Sequence, residues 1–310
     1  MKRIFFTTVF ALTAFLEINA QQDPHYTQYM YNMNVINPAY AGSKEGVSLA
    51  ALYRSQWVNI DGAPKTFSLS GHSPLGKSVG AGLSVISDQI GPVNEKNVYA
   101  DVSYTLKLAN ESNLAFGMKA GATFHDIGLL SEVSPTLQDQ FDDAFLENVN
   151  KVNPNLGVGV FYYTNKFYAS FSVPNILRSK HFNKLKRADG IKYGTETSHY
   201  FLTTGYVFQL SENTKFKPST MIKSAFNAPV SVDLSANALF FEKLETGLTY
   251  RFQDSFGAMV NFKITDGLRI GYAYDRVISD LKVATTSSHE FMLLFDLNVP
   301  KKVSSSPRYF

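Results

Sequence analysis

From Gly46 onward the chain alternates apolar and polar residues, in segments of roughly 8 to 14 residues that suit tilted strands crossing a membrane. In residues 199–210 the apolar face carries tyrosine, leucine and phenylalanine, and the opposite face is mainly polar or small. In residues 243–252 the apolar face alternates with Lys243, Glu245 and Arg251. A period of two residues predicts β-strands that each have one apolar face.

About fourteen such strands are predicted, an even number of the kind that bacterial outer-membrane barrels use. Their expected positions are residues 46–54, 66–72, 77–87, 96–108, 112–125, 154–163, 166–174, 198–210, 214–224, 230–240, 243–252, 255–264, 267–275 and 287–298. The pattern therefore predicts an all-β fold, a transmembrane antiparallel β-barrel of the outer membrane. Because Pro218 cannot donate a hydrogen bond to a neighbouring strand, a bulge is expected in residues 216–220.

The links between the predicted strands are alternately short and long. The short links are residues 73–76, 110–112, 164–165, 211–213, 241–242 and 265–266, and the long ones are 55–65, 88–95, 126–153, 175–197, 225–229 and 276–286. Only residues 253–254 form a short link where the rhythm requires a long one. Since such barrels have short periplasmic turns and long outer loops, both chain ends are expected at the periplasm.

A soluble secreted β-sandwich would also show alternation, but it would turn its apolar faces inward. Three features favour the barrel over the sandwich. The strands follow one another without a linker, small and charged residues lie opposite the apolar faces, and aromatic residues lie near strand ends.

The first twenty residues have the form of a secretory signal peptide. Lys2 and Arg3 precede an apolar run that is too short to span a bilayer as a helix, and the small residue Ala20 ends the segment. The expected organisation is a signal peptide at residues 1–20, an N-terminal periplasmic or plug segment at 21–45, the barrel at 46–298 and a periplasmic tail at 299–310.

Composition narrows the function classes. The chain has no cysteine, so neither a lipid anchor nor a disulfide framework is available to it. Its formal net charge of +3 is small, and its basic residues are scattered, which argues against a nucleic-acid partner. The 25 phenylalanines and 17 tyrosines favour β-structure with aromatic surfaces.

The stretch from Pro24 to Gly42 follows neither the helical nor the strand period, although it contains four tyrosines and two methionines. So many apolar side chains are costly to leave in water, and a lumen of about fourteen strands must be wet or plugged. We therefore expect this stretch to enter the lumen from the periplasmic side. The candidate plug residues are Tyr26, Tyr29, Tyr31, Asn37, Pro38 and Tyr40.

The tyrosines of the stretch would hydrogen-bond to polar side chains that line the lumen. The strand pattern gives as candidates Asp101, Lys107, Lys119, His125, Asp233, Lys243, Glu245, Arg251, Lys263, Arg269 and Asp275. The alternative is that these side chains form only a solvated or salt-bridged wall.

Two long predicted outer loops carry opposite charge. Residues 126–153 are acidic and include a predicted short helix that starts at Ser134, whereas residues 175–197 are basic. The loops could pair with each other, or they could form a docking surface for a secreted partner. The candidate docking residues are Arg178, Lys180, Lys184, Lys186, Arg187, Asp139, Asp142 and Asp143.

Signatures of enzymes are missing from the sequence. It has no nucleophile elbow, zinc-protease motif or phosphate-binding loop, and its six histidines lack metal-ligand spacing. Neither a catalytic residue nor a cofactor or metal site is therefore predicted. The glycines at 80, 82, 157 and 159 lie within predicted strands and are interpreted as close-packing or lumen-facing glycines, not as phosphate-binding loops.

The first third of the chain resembles the PorP/SprF family of outer-membrane components of the type IX secretion system. The resemblance lies in PHYTQYMYNMNVINPAYAG at residues 24–42, in Arg54, Gln56 and Trp57, in the segments GAPKT, SGHSPL and DQIG that follow, and in the C-terminal SPRYF. Arg54, Gln56 and Trp57 end the first predicted strand at the outer rim, where Trp57 would anchor the interface and Arg54 would be a rim charge.

The resemblance implies a non-enzymatic accessory of type IX secretion in the outer membrane. It would assist secretion or surface attachment of cargo proteins with a C-terminal secretion domain, and similar proteins of gliding bacteria serve adhesins. The implied partners are the translocon, other secretion subunits, such cargo and outer-membrane lipid. The alternatives are a passive porin or transporter for small solutes and a purely structural envelope protein.

Overall fold

The computed structural model describes residues 25–127, 149–177, 198–226, 228–283, 285 and 287–297. Fifteen strands form in these residues. They are β1 Val47–Ser55, β2 Lys65–Pro74, β3 Val79–Ile90, β4 Val93–Lys107, β5 Asn113–Ile127, β6 Val149–Tyr163, β7 Phe167–Val173, β8 His199–Tyr206, β9 Phe208–Ser211, β10 Thr214–Ala225, β11 Ser231–Phe240, β12 Leu244–Arg251, β13 Ser255–Lys263, β14 Leu268–Val277 and β15 Ser287–Leu297.

The strands form one antiparallel sheet that closes on itself. Each strand pairs with its neighbours in chain order, and β15 pairs with β1 from Val47 opposite Leu297 to Ser55 opposite His289. The short strands β8 and β9 follow one another along β10 and both pair with it. Together they occupy the position of one strand in the sheet. The prediction of a fourteen-stranded antiparallel barrel is therefore confirmed, with β9 as an additional strand.

Pro218 interrupts a strand pair without causing the expected bulge. Phe216 lies opposite Phe208 and Ser219 lies opposite Gly205, so the register is the same on both sides of the proline. Because proline has no backbone N–H, the ladder is broken there, and the partner strand divides into β8 and β9. The irregularity in register lies instead between Thr214 and Lys215.

One end of the barrel, here called the turn end, carries the β2–β3, β4–β5, β6–β7, β9–β10, β11–β12 and β13–β14 connections; β1 begins there and β15 ends there. The opposite end, called the loop end, carries the β1–β2, β3–β4, β5–β6, β7–β8, β10–β11, β12–β13 and β14–β15 connections. At the loop end, residues 88–95 were expected to form a long loop, but β3 and β4 continue until Ile90 pairs with Val93. Gly91, with φ of 54°, permits the tight turn between them.

The two faces of the sheet have opposite chemistry. Outward-facing side chains are mostly apolar, and many are large, as in β12, where Leu244, Leu248 and Tyr250 are exposed. Inward-facing side chains include buried charged residues such as Glu245 and Arg251. This arrangement is the reverse of a soluble sandwich and suits a surrounding bilayer. Among the described residues, no helix is long and apolar enough to cross a membrane.

Candidate functional site: a segment bound in the lumen

Residues 25–42 lie inside the barrel and are called the lumen segment. Its backbone forms a 3₁₀ turn at Tyr29–Tyr31, the short helix α1 at Met33–Ile36 and a second 3₁₀ turn at Pro38–Tyr40. The Asn37 side chain accepts a hydrogen bond of 2.9 Å from the Ala39 N–H and so caps the second turn, with proline at its first position. Nearly all of its residues are buried.

At the loop end, two buried carboxylates hold the start of the lumen segment. Glu290 accepts hydrogen bonds from the backbone N–H groups of Thr27 and Gln28, at 2.9 and 2.8 Å. The Thr27 hydroxyl donates to Asp275 at 2.5 Å. Arg54 forms ion pairs with Asp275 at 2.7 Å and Glu290 at 3.1 Å, and it also donates to the Thr27 hydroxyl.

These five residues, called the loop-end latch, correct the expectation for Arg54. It is not an exposed rim charge, because only 2 % of its surface is accessible and its guanidinium lies inside the barrel. The first described residues of the lumen segment are bound near the loop end, because the partner carboxylates Asp275 and Glu290 lie there, on β14 and β15.

In the half of the lumen nearer the turn end, Tyr31 donates a hydrogen bond to Glu245. Glu245 also forms ion pairs with Lys217 at 3.0 Å and Arg269 at 3.2 Å, and both cations lie over the Tyr31 ring. In this cluster one tyrosine of the segment pairs with one carboxylate of the lumen wall.

On the opposite wall, β4 and β5 bind α1. Lys119 donates to the carbonyl oxygens of Asn34 and Val35, at 3.3 and 2.9 Å, and lies 3.5 Å from Asp101. Asn34 in turn donates to Asp101 at 3.2 Å. A cation at the unpaired carbonyls of a helix end is favourable, so this pair fixes the end of α1.

The remaining predicted plug residues also lie in the lumen. Asn37 donates to the Val160 carbonyl oxygen and the Ser170 hydroxyl, both at 3.0 Å. Tyr40 packs edge-on against the rings of His72 and Phe161. The others, Tyr26, Tyr29 and Pro38, are buried as well.

Glycines of the wall form recesses for the lumen segment. A Cβ atom at Gly80, Gly117 or Gly159 would overlap Ala41, Ala39 or Asn37. A Cβ atom at Gly82 would lie 2.8 Å from the Asn34 side chain, and one at Gly271 would lie 2.6 Å from Gln28. The wall and the segment are therefore complementary in shape, and substitution of these glycines would force the segment to move.

At the turn end the segment leaves the lumen. Gly42, with φ of 71°, turns the chain, and its N–H donates to His72 Nδ1 at 3.2 Å. Lys44 then forms an ion pair of 3.2 Å with Asp296, which is 40 % exposed. This ion pair is partly solvated, so its contribution to the stability of the barrel is small.

The other predicted residues are distributed as follows. The lumen candidates Asp101, Lys119, His125, Asp233, Glu245, Arg251 and Asp275 are buried inside, Arg269 and Lys263 are partly exposed, and Lys107 and Lys243 are exposed at the turn end. Gln56 and Trp57 are partly exposed beyond the loop end of β1. The docking candidates Arg178, Lys180, Lys184, Lys186, Arg187, Asp139, Asp142 and Asp143 lie outside the described residues, as do the expected signal peptide, the tail and the predicted loop helix.

Sequence reasoning missed two members of the site, Glu290 and Lys217. Glu290 is an inward position of β15, between the outward residues His289 and Phe291. The alternation of β15 therefore already places this carboxylate on the lumen face, and that signal could have identified it. The face of Lys217 could not be assigned from the alternation, because Lys217 precedes Pro218 and lies within the expected bulge.

The fold and the site define a class: an outer-membrane β-barrel whose lumen is occupied by its own N-terminal segment. The model of the family of type IX secretion system membrane proteins PorP/SprF matches residues 18–295, and the chain belongs to this family. The protein is thus a component of the type IX secretion machinery in the outer membrane.

Solved structures of similar fold are outer-membrane barrels. The toluene transporter TbuX of Ralstonia pickettii has 10 % identity and a TM-score of 0.51, with 85 % of this chain and 93 % of that chain covered. The monoaromatic hydrocarbon channel CymD has 11 % identity and a TM-score of 0.50, with 86 % and 92 % covered. At this identity the likeness concerns the fold. No curated protein sequence matches the chain.

Proposed function

We propose that this protein is a non-enzymatic docking barrel of type IX secretion, which assists secretion or surface attachment of particular cargo proteins that bear a C-terminal secretion domain. The adhesins of gliding cells are one such class of cargo. The loop end faces the outside and meets cargo, and the turn end faces the periplasm and meets other secretion subunits.

The observation that supports this proposal is the bound lumen segment. The segment is held by the loop-end latch, by Glu245 and Lys119, and by the glycine recesses. A passive porin needs an open polar lumen, whereas a docking barrel works with a filled one. The filled lumen therefore favours docking over passage of small solutes, the second function considered for this chain.

The loops on both sides of β6 and β7 would supply the cargo-binding surface. Both connect strands at the loop end, residues 128–148 between β5 and β6 and residues 174–198 between β7 and β8. Their opposite charges would steer a partner with complementary charge. Binding of this kind requires no catalytic residue, cofactor or metal.

Affinity purification of the tagged protein from detergent-solubilised outer membranes of secreting cells tests the proposal. Recovery together with a translocon barrel or a large secreted protein is expected. Recovery of the barrel alone would contradict the docking function and would favour a solute porin.

A charge-reversal variant then tests the surface itself. Replacement of Arg178, Lys180, Lys184, Lys186 and Arg187 by glutamate should reduce cargo attachment and its dependence on salt. The control replaces the exposed turn-end residues Lys107, Lys166 and Lys243 by glutamate, and it should leave the salt dependence of cargo attachment unchanged, because these residues lie at the other end of the barrel. Wild-type attachment with wild-type salt dependence in the loop variant would exclude the basic loop as a docking surface.

A further inference from the structure

The outer face of the barrel has a groove where the first and last strands meet. It encloses about 540 Å³ and spans β13, β14, β15, β1 and β2. Tyr53, Phe67 and Phe291 line it and are between 41 and 53 % exposed, and the small side chain of Ala51 contributes to its depth. The groove therefore faces the bilayer and has the apolar lining that a hydrocarbon chain needs.

Basic side chains flank the loop end of this groove. Lys65 is the first residue of β2 and precedes the groove residue Phe67 by two positions on the same outward face. Arg276, near the loop end of β14, follows the groove residue Tyr272 by four positions on the outward face. Both are exposed. At about 3.3 Å per residue, the two cations lie within roughly 7 and 13 Å of the groove along their strands.

Outward-facing carboxylates are lacking on this part of the wall. In β13, β14, β15, β1 and β2, as the structure describes them, the acidic residues Asp275, Glu290 and Asp296 are on the lumen side of the alternation. Arg276 and Lys65 therefore give the loop-end border of the groove a positive charge. Asp61 and Asp280 lie beyond it, in the connecting loops.

The membrane interface lies at the same border. Trp57, the only tryptophan of the chain, follows β1 at the loop end, and its backbone N–H donates to the Ser288 hydroxyl of β15 at 3.2 Å. It lies beyond the end of β1 and contacts β15, and these are the two strands that separate Lys65 from Arg276. Tryptophan is enriched at headgroup depth, so both cations lie at the level of lipid phosphates.

From this arrangement we propose a lipid-binding site: an anionic, phosphate-bearing lipid of the leaflet at the loop end binds with an acyl chain in the groove and its phosphate between Lys65 and Arg276. Long basic side chains near the interface reach headgroups while their stems cover apolar surface. The tyrosine hydroxyl of Tyr272, 2.7 Å from His289 Nδ1, gives the groove a polar edge beside the headgroup.

Native mass spectrometry of the purified full chain tests this site, with dioleoyl phosphatidylglycerol as the probe and the phosphatidylcholine of the same chains as comparator. The wild type should retain phosphatidylglycerol preferentially. The double variant K65Q/R276Q should bind it about tenfold more weakly, because each basic residue near a headgroup contributes severalfold in affinity. The control K77Q/K166Q removes two exposed lysines of the turn end and should bind as the wild type does.

Two further measurements distinguish the contribution of the acyl chain to binding from that of the phosphate. Ala51→Phe fills the groove but keeps both cations, and it should also reduce retention of phosphatidylglycerol. Inorganic phosphate at millimolar concentration should not displace the lipid. The proposal would be overturned by any one of three results. These are unchanged retention of phosphatidylglycerol by K65Q/R276Q, binding of phosphatidylcholine as tight as that of phosphatidylglycerol, and displacement of the lipid by inorganic phosphate.

Discussion

At the scale of single residues, the buried charged side chains of the lumen are paired with opposite charges and with groups of the lumen segment. Arg54 is 2 % exposed, and its guanidinium contacts Asp275, Glu290 and Thr27. A buried ion pair adds little net stability when it forms, because both charges lose water. Removal of one partner is costly, since the other charge stays buried without compensation.

Arg54→Gln should therefore destabilise the barrel by about 3–5 kcal/mol, and it should release the start of the lumen segment. The measurement is urea unfolding in detergent micelles. The matched control Arg276→Gln removes an exposed arginine and should change stability by no more than about 0.5 kcal/mol. Equal stability of the two variants would show that the latch does not hold the segment.

Gly117 tests the fit between wall and segment. A side chain there meets the backbone of Ala39, which cannot turn aside as a flexible side chain would. Gly117→Val should cost about 1–3 kcal/mol and shift the segment in the lumen. Gly76→Val is the control, since nothing lies within 4 Å of its Cβ position. A wild-type unfolding curve for Gly117→Val would contradict the described contact.

At the scale of elements, the lumen segment is the part that decides between a closed and an open barrel. Its helix and turns are too short to be stable in isolation. They persist because the wall supplies the hydrogen-bond partners that a longer helix would supply itself, such as Lys119 for the α1 carbonyl oxygens and Ser172 for that of Ile36.

Replacement of residues 26–41 by a glycine-serine chain of equal length should open the lumen to ions. In planar bilayers the intact protein should show no steady conductance, whereas the variant should conduct. Steady conductance by the intact protein would contradict a closed lumen and would favour the porin function. Heat modifiability on gels confirms that the variant still forms a barrel.

At the scale of the whole molecule, the barrel combines an apolar exterior, a charged interior and two unlike ends. The lumen segment joins those ends, because Thr27 is bound at the loop end and Gly42 lies at the turn end. The contacts of the segment with the wall therefore extend from one end of the barrel to the other.

The orientation of the molecule can be tested with cysteine labelling, since the chain has no native cysteine. Lys282→Cys at the loop end should react with a membrane-impermeant maleimide in intact cells, and Lys77→Cys at the turn end should react only after lysis. Both residues are exposed, so accessibility within the protein is matched. The reverse pattern would place the loop end in the periplasm.

The sequence by itself determined the architecture of this protein. A period of two residues assigns each side chain to one face, so residues 243–252 already revealed an apolar exterior and a charged interior. It also identified a segment, Pro24 to Gly42, that fits neither period and needs a wall to bind it.

Only the tertiary structure decided which interior groups meet. Alternation gives the face of a residue but not its neighbours across the lumen, because these depend on strand tilt, on register and on the path of the segment. Arg54 lay at the end of a strand and resembled a rim charge; closure of β15 against β1 brought it to Glu290, and the segment completed the cluster. The direction of the segment follows from the same cause, since buried carboxylates must be satisfied where they lie, and these lie near the loop end.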